Sequence, residues 1–166
     1  MIIATDVNNC AADSQMFTPM MEQARRNSGR APKQAPADAG YCSQANLDEA
    51  AKLTALDGTE FLIATGRLSH DEVVGPAPRG RIPKNLTPRQ RMARKLRTNK
   101  GAVDYARGKA IVEPVFGQMR VAQDAGRLRL RGLNNAQGEW TLQAFCHNAR
   151  KLRNSGFHPI PATALN

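Results

Sequence analysis

The sequence predicts an α/β fold in which helices flank a mixed β-sheet, with a basic loop and helix inserted into it. Two observations lead to this prediction. Short apolar runs alternate with segments of helical periodicity over residues 2–65, and this alternation is typical of the strands and helices of an α/β fold. The alternation stops at residues 69–98, which are rich in Pro, Gly and basic residues, and two further helical segments follow.

The first half of the chain reads as strand, helix, weak strand, helix, strand. The predicted strands are "MIIATDV", a weak strand within the Pro- and Ala-rich "RAPKQAPADAGYCS", and "TEFLIATG", of which the last has the clearest pattern. Asp38-Ala39-Gly40 predicts a tight loop after the weak strand. Asp13 is expected to cap the first helix, which Gly29 closes. The second helix is expected to begin at Ser43 or Asn46 and to end at Gly58.

The second half reads as mostly helical. Thr87 and Pro88 predict the N-cap and first position of a short basic helix, and a long helix follows at about 100–124. A closing helix begins near "NNAQG", and residues 154–166 are expected to fray. We therefore expect one domain over residues 1–153, with the 69–98 segment as a basic insertion.

The charge distribution favours a polyanionic partner. Lys and Arg number 24 against 14 acids, giving a net charge of +10. Eleven of the basic residues and one acid, Asp104, lie in residues 79–109, and nucleic acid is the usual partner of so dense a field. A solvated charged loop is the alternative. No apolar run has the length of a membrane span or a signal peptide, and three widely spaced cysteines indicate reduced thiols rather than a zinc site.

The predicted long helix carries one carboxylate in basic surroundings. At about 100° per residue, Lys109 and Arg120 share the face of Glu113. An exposed Lys109–Glu113 pair is the simpler interpretation. Pro114 weighs against it, because a proline inside a helix costs about 3 kcal/mol and a kink there would re-aim the carboxylate.

An apolar stripe beside Glu113 is expected to pack on the sheet. Its members are Tyr105, Val112, Phe116 and Met119.

A carboxylate among cations stays ionised and can hold a divalent metal while the cations hold phosphate. Metal-dependent phosphoryl transfer needs several carboxylates from different elements. Asp38, in the loop after the second predicted strand, is the natural partner of Glu113. No clear third ligand exists, because Asp13 reads as an N-cap and Asp6 as a strand-end residue.

The chain resembles the C-terminal part of DDE-type bacterial insertion-sequence transposases from about Ile2 to Leu152. Each motif is weak alone, but their order and spacing are specific. The motifs that carry the resemblance are "IIATDVNNCAADSQMFTPMMEQ", "ADAGYCSQANL", "IATGR", "PRGRIPKNLTPRQRMARKLRT", "YARGKAIVEPVFGQMR" and "LRGLNNAQGEWTLQAFCHNARKL".

The resemblance implies an RNase H-like fold in which three acids bind two Mg²⁺ ions for DNA strand cleavage and transfer. Asp38 and Glu113 match two of these acids, as catalytic residues and metal ligands. Lys109 and Arg120 match positions expected to contact DNA phosphates, and Tyr105 and Pro114 are expected to shape the site. Four further basic residues are expected to bind nucleic acid: Arg91, Arg94, Lys95 and Arg97.

The resemblance also implies an incomplete enzyme. The family's first catalytic Asp lies upstream of the segment matched here, and Asp6 does not correspond to it. We therefore expect a partial RNase H-like fold without its N-terminal strands, an incomplete Mg²⁺ site, and no activity in isolation.

The implied setting is the bacterial cytoplasm, associated with the nucleoid. The expected partners are transposon-end and target DNA, with possible self-association. A non-catalytic basic DNA-binding protein is the alternative, and a ribosome- or RNA-associated protein ranks below both because it leaves Asp38 and Glu113 unexplained.

Overall fold

The computed structural model describes residues 1–66 and 77–156. The predicted basic insertion therefore lies partly outside the described residues, and so does most of the predicted tail. The regular elements, in chain order, are α1 (Phe17–Ser28), β1 (Gln34–Ala37), α2 (Gln44–Asp57), β2 (Glu60–Ile63), α3 (Pro88–Leu96), α4 (Asn99–Gln123) and α5 (Leu133–Asn154). Two 3-10 turns, Asp13–Met16 and Ala39–Tyr41, precede α1 and follow β1.

The chain divides into two compact units. The larger unit, Cys10–Phe116, contains both strands, the helices α1 to α3 and most of α4. The smaller unit combines Met1–Asn9 with the chain from Gly117 onward, which includes the end of α4 and all of α5.

The larger unit is built around β2. Strands β1 and β2 pair in parallel, with Gln34 opposite Glu60 and Ala37 opposite Ile63. Phe61, Leu62 and Ile63 are at most 1% exposed, so both faces of β2 are covered. Such burial explains why this strand reads as an uninterrupted apolar run in the sequence.

Aromatic and aliphatic side chains from three elements form the core beside β2. Phe17 of α1 lies 5.5 Å from the Phe61 ring, centroid to centroid, and Leu47 and Ala50 of α2 complete the buried cluster with Ile63. The predicted order of helix, strand, helix, strand over residues 13–65 is therefore confirmed. The α/β class is confirmed in this coarse form, with a parallel two-stranded sheet among the described residues rather than a mixed one.

The predicted strand "MIIATDV" is wrong. Residues 1–10 have no regular secondary structure, and side-chain amides of α5 bind their backbone instead. Asn148 bonds both the amide and the carbonyl of Ile2, and Gln137 Oε1 accepts from the Val7 amide. Hydrogen bonds to a helix thus replace the strand pairing that the apolar run predicted.

The predicted ends of α2 and the predicted start of α3 agree closely with the structure. Ser43 caps α2 by accepting from the Asn46 amide, and Gly58 ends it in the left-handed region. Thr87 caps α3 with Pro88 at the first position, and Gln90 completes a reciprocal capping box. Helix α4 continues through Pro114, as the face assigned to Glu113 requires. No described helix is both long enough and apolar enough to cross a membrane.

Two glycines allow α4 to approach its neighbours. A Cβ on Gly108 would fall 2.4 Å from Cγ of Pro36 in β1, and one on Gly101 would fall 2.1 Å from the Lys95 carbonyl oxygen. Both distances are far inside van der Waals contact. Helix α4 can therefore lie directly on β1 and turn tightly after α3 only because these positions lack side chains.

We predict that Gly108→Ala destabilises the protein although alanine is the better helix former. Alanine should gain about 0.5–1 kcal/mol in helix propensity but cost about 1–3 kcal/mol in overpacking against Pro36. Gly117→Ala is the matched control in the same helix, because nothing lies within 4 Å of its added Cβ. Urea unfolding should show a loss for the first variant and a gain for the second. A gain in both would contradict the packing of α4 on β1.

Candidate functional site

Asp38 lies immediately after the carboxyl end of β1, where parallel sheets commonly place their functional groups. It caps the 3-10 turn Ala39–Tyr41, and its Oδ1 accepts a hydrogen bond of 2.9 Å from the Gly40 amide. The tight loop predicted at this point is confirmed. The turn fixes the orientation of the carboxylate relative to the strand end.

Asp13 approaches Asp38 across Gly40. A Cβ on Gly40 would lie 3.1 Å from Oδ1 of Asp38 and 3.4 Å from Oδ2 of Asp13, so the two carboxylates flank one small residue. Burial raises the pKa of Tyr41, and the charges of Asp13 and Asp38 raise it further. The predicted N-cap role of Asp13 is wrong, because α1 begins at Phe17 and no side chain caps it.

Helix α4 passes along β1 toward Asp38. Gln34 Nε2, at the start of β1, donates a 2.8 Å hydrogen bond to Asp104 Oδ2, and Gly108 lies against Pro36 further along. Both elements therefore run in the same direction. Burial raises the pKa of Tyr105, and the negative charge of Asp38 raises it further.

Glu113 is exposed on the same helix. It follows Tyr105 by eight residues, or about 12 Å along the helix axis, in the direction in which β1 leads to Asp38. Counted at about 100° per residue, its side chain lies about 140° around the helix from Gly108, on the flank rather than the packed face. Among the described residues no hydrogen bond or ion pair joins it to Asp38.

The surroundings of Glu113 differ from those predicted. The Lys109 ammonium lies over the Tyr105 ring, 5.8 Å from its centroid, and forms no described salt bridge with Glu113. Val112 and Phe116 are each 49% exposed, so the prediction that this stripe packs on the sheet is wrong for both. Gly108 and Gly101 mark the packed face instead, because only residues without side chains fit there.

Aspartate carboxylates suit Mg²⁺, which binds oxygen, keeps several waters and commonly uses one or two carboxylates. Asp13 and Asp38 therefore fit part of a divalent-cation site. In the described ranges 1–66 and 77–156, no group of three or more His, Cys, Asp or Glu side chains is arranged to hold a metal. The donor set is consequently smaller than the three-acid site that the resemblance implies.

The basic residues of α3 bind the main chain of their own unit. Along β2, the backbone N–H and C=O groups of the even-numbered residues point toward β1, because the backbone amides of Glu60 and Ala64 donate to the carbonyls of Lys33 and Ala37. The Phe61 and Thr65 carbonyls therefore point to the opposite edge.

At that edge Lys95 Nζ donates a 2.8 Å hydrogen bond to the Phe61 carbonyl, and Arg89 donates two hydrogen bonds to the Thr65 carbonyl. The α3 cations thus satisfy backbone carbonyls along the edge of β2 that pairs with no strand in the described part of the chain.

Two more arginines hold the loop before α3. Arg91 donates to the carbonyls of Leu86 and Lys84, and Arg94 donates to those of Arg79 and Gly80. Part of the positive charge that predicted nucleic-acid binding therefore also organises this loop.

An ion network links α4 to the start of both strands. Lys100 Nζ contacts Glu60 Oε2 at 2.7 Å and Asp104 Oδ2 at 2.8 Å, and Gln34 donates to both carboxylates. Hydrogen bonds from Lys100, and then from Gln34, lower the pKa values of Glu60 and Asp104 below their ordinary 4.5 and 3.8. The bonds to Asp104 and Glu60 raise the pKa of Lys100.

Comparison with known proteins gives one family match, in the second half of the chain. Residues 81–153, somewhat under half of its length, match the family described as a transposase DDE domain. The match spans α3, α4 and nearly all of α5, and it includes Glu113 but not Asp38. The resemblance to DDE-type transposases is thereby confirmed over residues 81–153. No curated protein and no solved structure matches the chain.

The proximity of Asp13 to Asp38 is the main feature that sequence reasoning missed. The two residues are separated by α1 and β1, and no spacing rule links them. The convergence of the 3-10 turns at Gly40 is a tertiary effect, and only the small size of Gly40 hints at it.

We predict that Lys95→Met destabilises the protein by about 1–3 kcal/mol, because it leaves the carbonyl of buried Phe61 without its donor. Lys109→Met is the control, since its ammonium lies over a partly exposed ring and should matter by less than about 1 kcal/mol. The free energy of unfolding in urea measures both effects. Equal losses in the two variants would contradict the edge-binding role of Lys95.

We further predict that the Lys100 network stabilises the fold at neutral pH and weakens in acid. Because the folded pKa values of Glu60 and Asp104 are lowered, their contribution is present above their ordinary values and is lost as the pH falls through the folded ones. The free energy of unfolding should therefore fall by less in Lys100→Met than in the unaltered chain between about pH 7 and pH 3. The effect should be small, because the groups are largely solvent-screened. An unchanged pH dependence would contradict it.

Proposed function

We propose that this chain is the C-terminal part of a DDE-type transposase catalytic domain. The match of α3 to α5 to the transposase DDE domain carries the proposal, because the matched α4 bears Glu113 and lies along the strand that ends at Asp38. Families of this type use divalent metal and act on DNA. Asp38 and Glu113 are proposed as catalytic carboxylates from two elements of one unit.

The proposed roles follow from the positions of the side chains. Asp38, oriented by Gly40, and Glu113 on the flank of α4 would hold Mg²⁺. When bound in a two-metal site, such ions polarise the phosphoryl group and activate the attacking hydroxyl. The Lys109 ammonium lies 5.8 Å from the centroid of the Tyr105 ring, and Pro114 follows Glu113 within the continuous helix.

Phosphate contacts are proposed for the exposed cations. Lys109 and Arg120 lie on the exposed surface of α4, and Arg97 follows α3. Arg91, Arg94 and Lys95 donate to main-chain carbonyls, so we propose that they act on DNA through their remaining donors and their charge.

We propose that the chain is inactive by itself. The two proposed acids are fewer than the three that DDE chemistry uses, and no described cluster of three ligands supplies the difference. The same proposal includes an RNase H-like fold and Mg²⁺ as the particular cation. It also includes transposon-end and target DNA as partners, nucleoid association and self-association.

Supercoiled plasmid with Mg²⁺ or Mn²⁺ provides the direct test of chemistry. We expect the purified chain to produce no nicked product. Nicking that Asp38→Ala abolishes would contradict the proposed inactivity and show that the carboxylates present are sufficient. Nicking that survives Asp38→Ala and Glu113→Ala together would contradict the assignment of both residues.

DNA binding without chemistry is the second candidate function, favoured by the net charge of +10. Affinity for duplex DNA should fall steeply with salt, with a log–log slope of about −0.9 per phosphate contacted. The double variant Lys109→Gln, Arg120→Gln should reduce that slope by about 1.8. Lys52→Gln, whose ammonium is paired with Glu49, is the control that should leave the slope unchanged. Fluorescence anisotropy measures this, and no binding at low salt would contradict it.

A further inference from the structure

We propose that Asn46 is a positioning residue for Asp38, which deepens the proposed function and rests on it. Asn46 is 7% exposed, at the third position of α2. Its side-chain Nδ2 donates 2.8 Å and 2.9 Å hydrogen bonds to the carbonyls of Ser14 and Tyr41. Both donors of one buried amide thus bridge the two 3-10 turns that carry Asp13 and Asp38.

The two acceptors determine which way this amide points. Carbonyl oxygens only accept hydrogen bonds, so the nitrogen and not the oxygen of Asn46 must face both of them. An aspartate at this position would be isosteric but would present a carboxylate to two carbonyls. The site therefore requires the amide, rather than any polar residue of the same shape.

Helix α2 does not itself need this side chain. Ser43 Oγ already accepts a hydrogen bond from the backbone N–H of Asn46 and caps the helix. Burying an amide away from water is costly unless it is hydrogen-bonded, so the bonds to the turns account for its presence inside the unit. The role of the Asn46 side chain lies in connecting these turns.

The bond to Tyr41 closes the turn that orients Asp38. Within it the Gly40 amide binds Asp38 Oδ1, the Tyr41 amide binds the Asp38 carbonyl at 3.3 Å, and the Ser43 amide shares the Tyr41 carbonyl with Asn46. The bond to Ser14 holds the residue next to Asp13, whose Oδ2 would lie 3.4 Å from a Cβ on Gly40. One side chain therefore ties the turn of Asp38 to the turn of Asp13.

Groups that orient a metal ligand commonly change metal affinity by about tenfold or more when they are removed. Asn46→Ala should loosen the Asp38 turn and weaken cation binding there. Leu47→Ala is the matched control, because the neighbouring Leu47 is equally buried at 5% exposed but makes only core contacts with its side chain. Asn46→Ser, which keeps one donor, should behave between the unaltered chain and Asn46→Ala.

Two measurements on the full chain test the proposal. Native-state hydrogen exchange follows the Gly40 and Cys42 amides of the turn, and electron paramagnetic resonance titration measures Mn²⁺ affinity. In Asn46→Ala, both amides should exchange about tenfold faster than in Leu47→Ala, and Mn²⁺ should bind about tenfold more weakly.

Equal exchange in the two variants, or Mn²⁺ affinity that Asn46→Ala leaves unchanged, would overturn the positioning role. If the unaltered chain binds no Mn²⁺, the proposed metal site is contradicted. In that case, hydrogen exchange that accelerates only in the Asn46 variants would still support the link between Asn46 and the Asp38 turn. Failure of the metal site and failure of the positioning role are therefore distinguishable.

Discussion

The close approach of α4 to β1 at Gly108 and Pro36 is the contact on which the arrangement of the candidate site depends. It aligns a helix bearing Glu113 and Tyr105 with a strand that ends at Asp38. A side chain at Gly108 would force the two elements apart, and the Gln34–Asp104 bond and the Lys100 network would then lose their register. The absence of a side chain at Gly108 therefore determines how α4, which bears Glu113, packs against the strand that leads to Asp38.

The basic side chains of α3 bind backbone carbonyls and also contribute positive charge to the field around the unit. Lys95 and Arg89 bind carbonyls at the edge of β2 opposite β1, and Arg91 and Arg94 bind the loop before α3. Long basic side chains can do this while their charge still contributes to the field around the unit. A dense basic segment is thus evidence for a polyanionic partner only after its structural contacts are known.

The elements with strong local signals were predictable. Ser43, Thr87–Pro88 and Gly58 mark helix ends through capping and backbone rules that act within a few residues, and the structure agrees with them. Residues 2–7 satisfied the strand pattern, but their backbone partners are side chains on α5, which no local rule anticipates. Asp38 and Glu113 were predicted from their sequence surroundings and from the resemblance, whereas the approach of Asp13 and the bridge through Asn46 arise only from tertiary packing.

Nuclear Overhauser effects between the Gly108 α protons and the Pro36 ring protons test the central claim most directly, because that contact places α4 along β1. The account predicts strong cross-peaks, since a Cβ on Gly108 would lie 2.4 Å from Pro36 Cγ. If Gly108 shows no contact with Pro36 while α4 and β1 are both formed, the proposed convergence of Asp38 and Glu113 is contradicted.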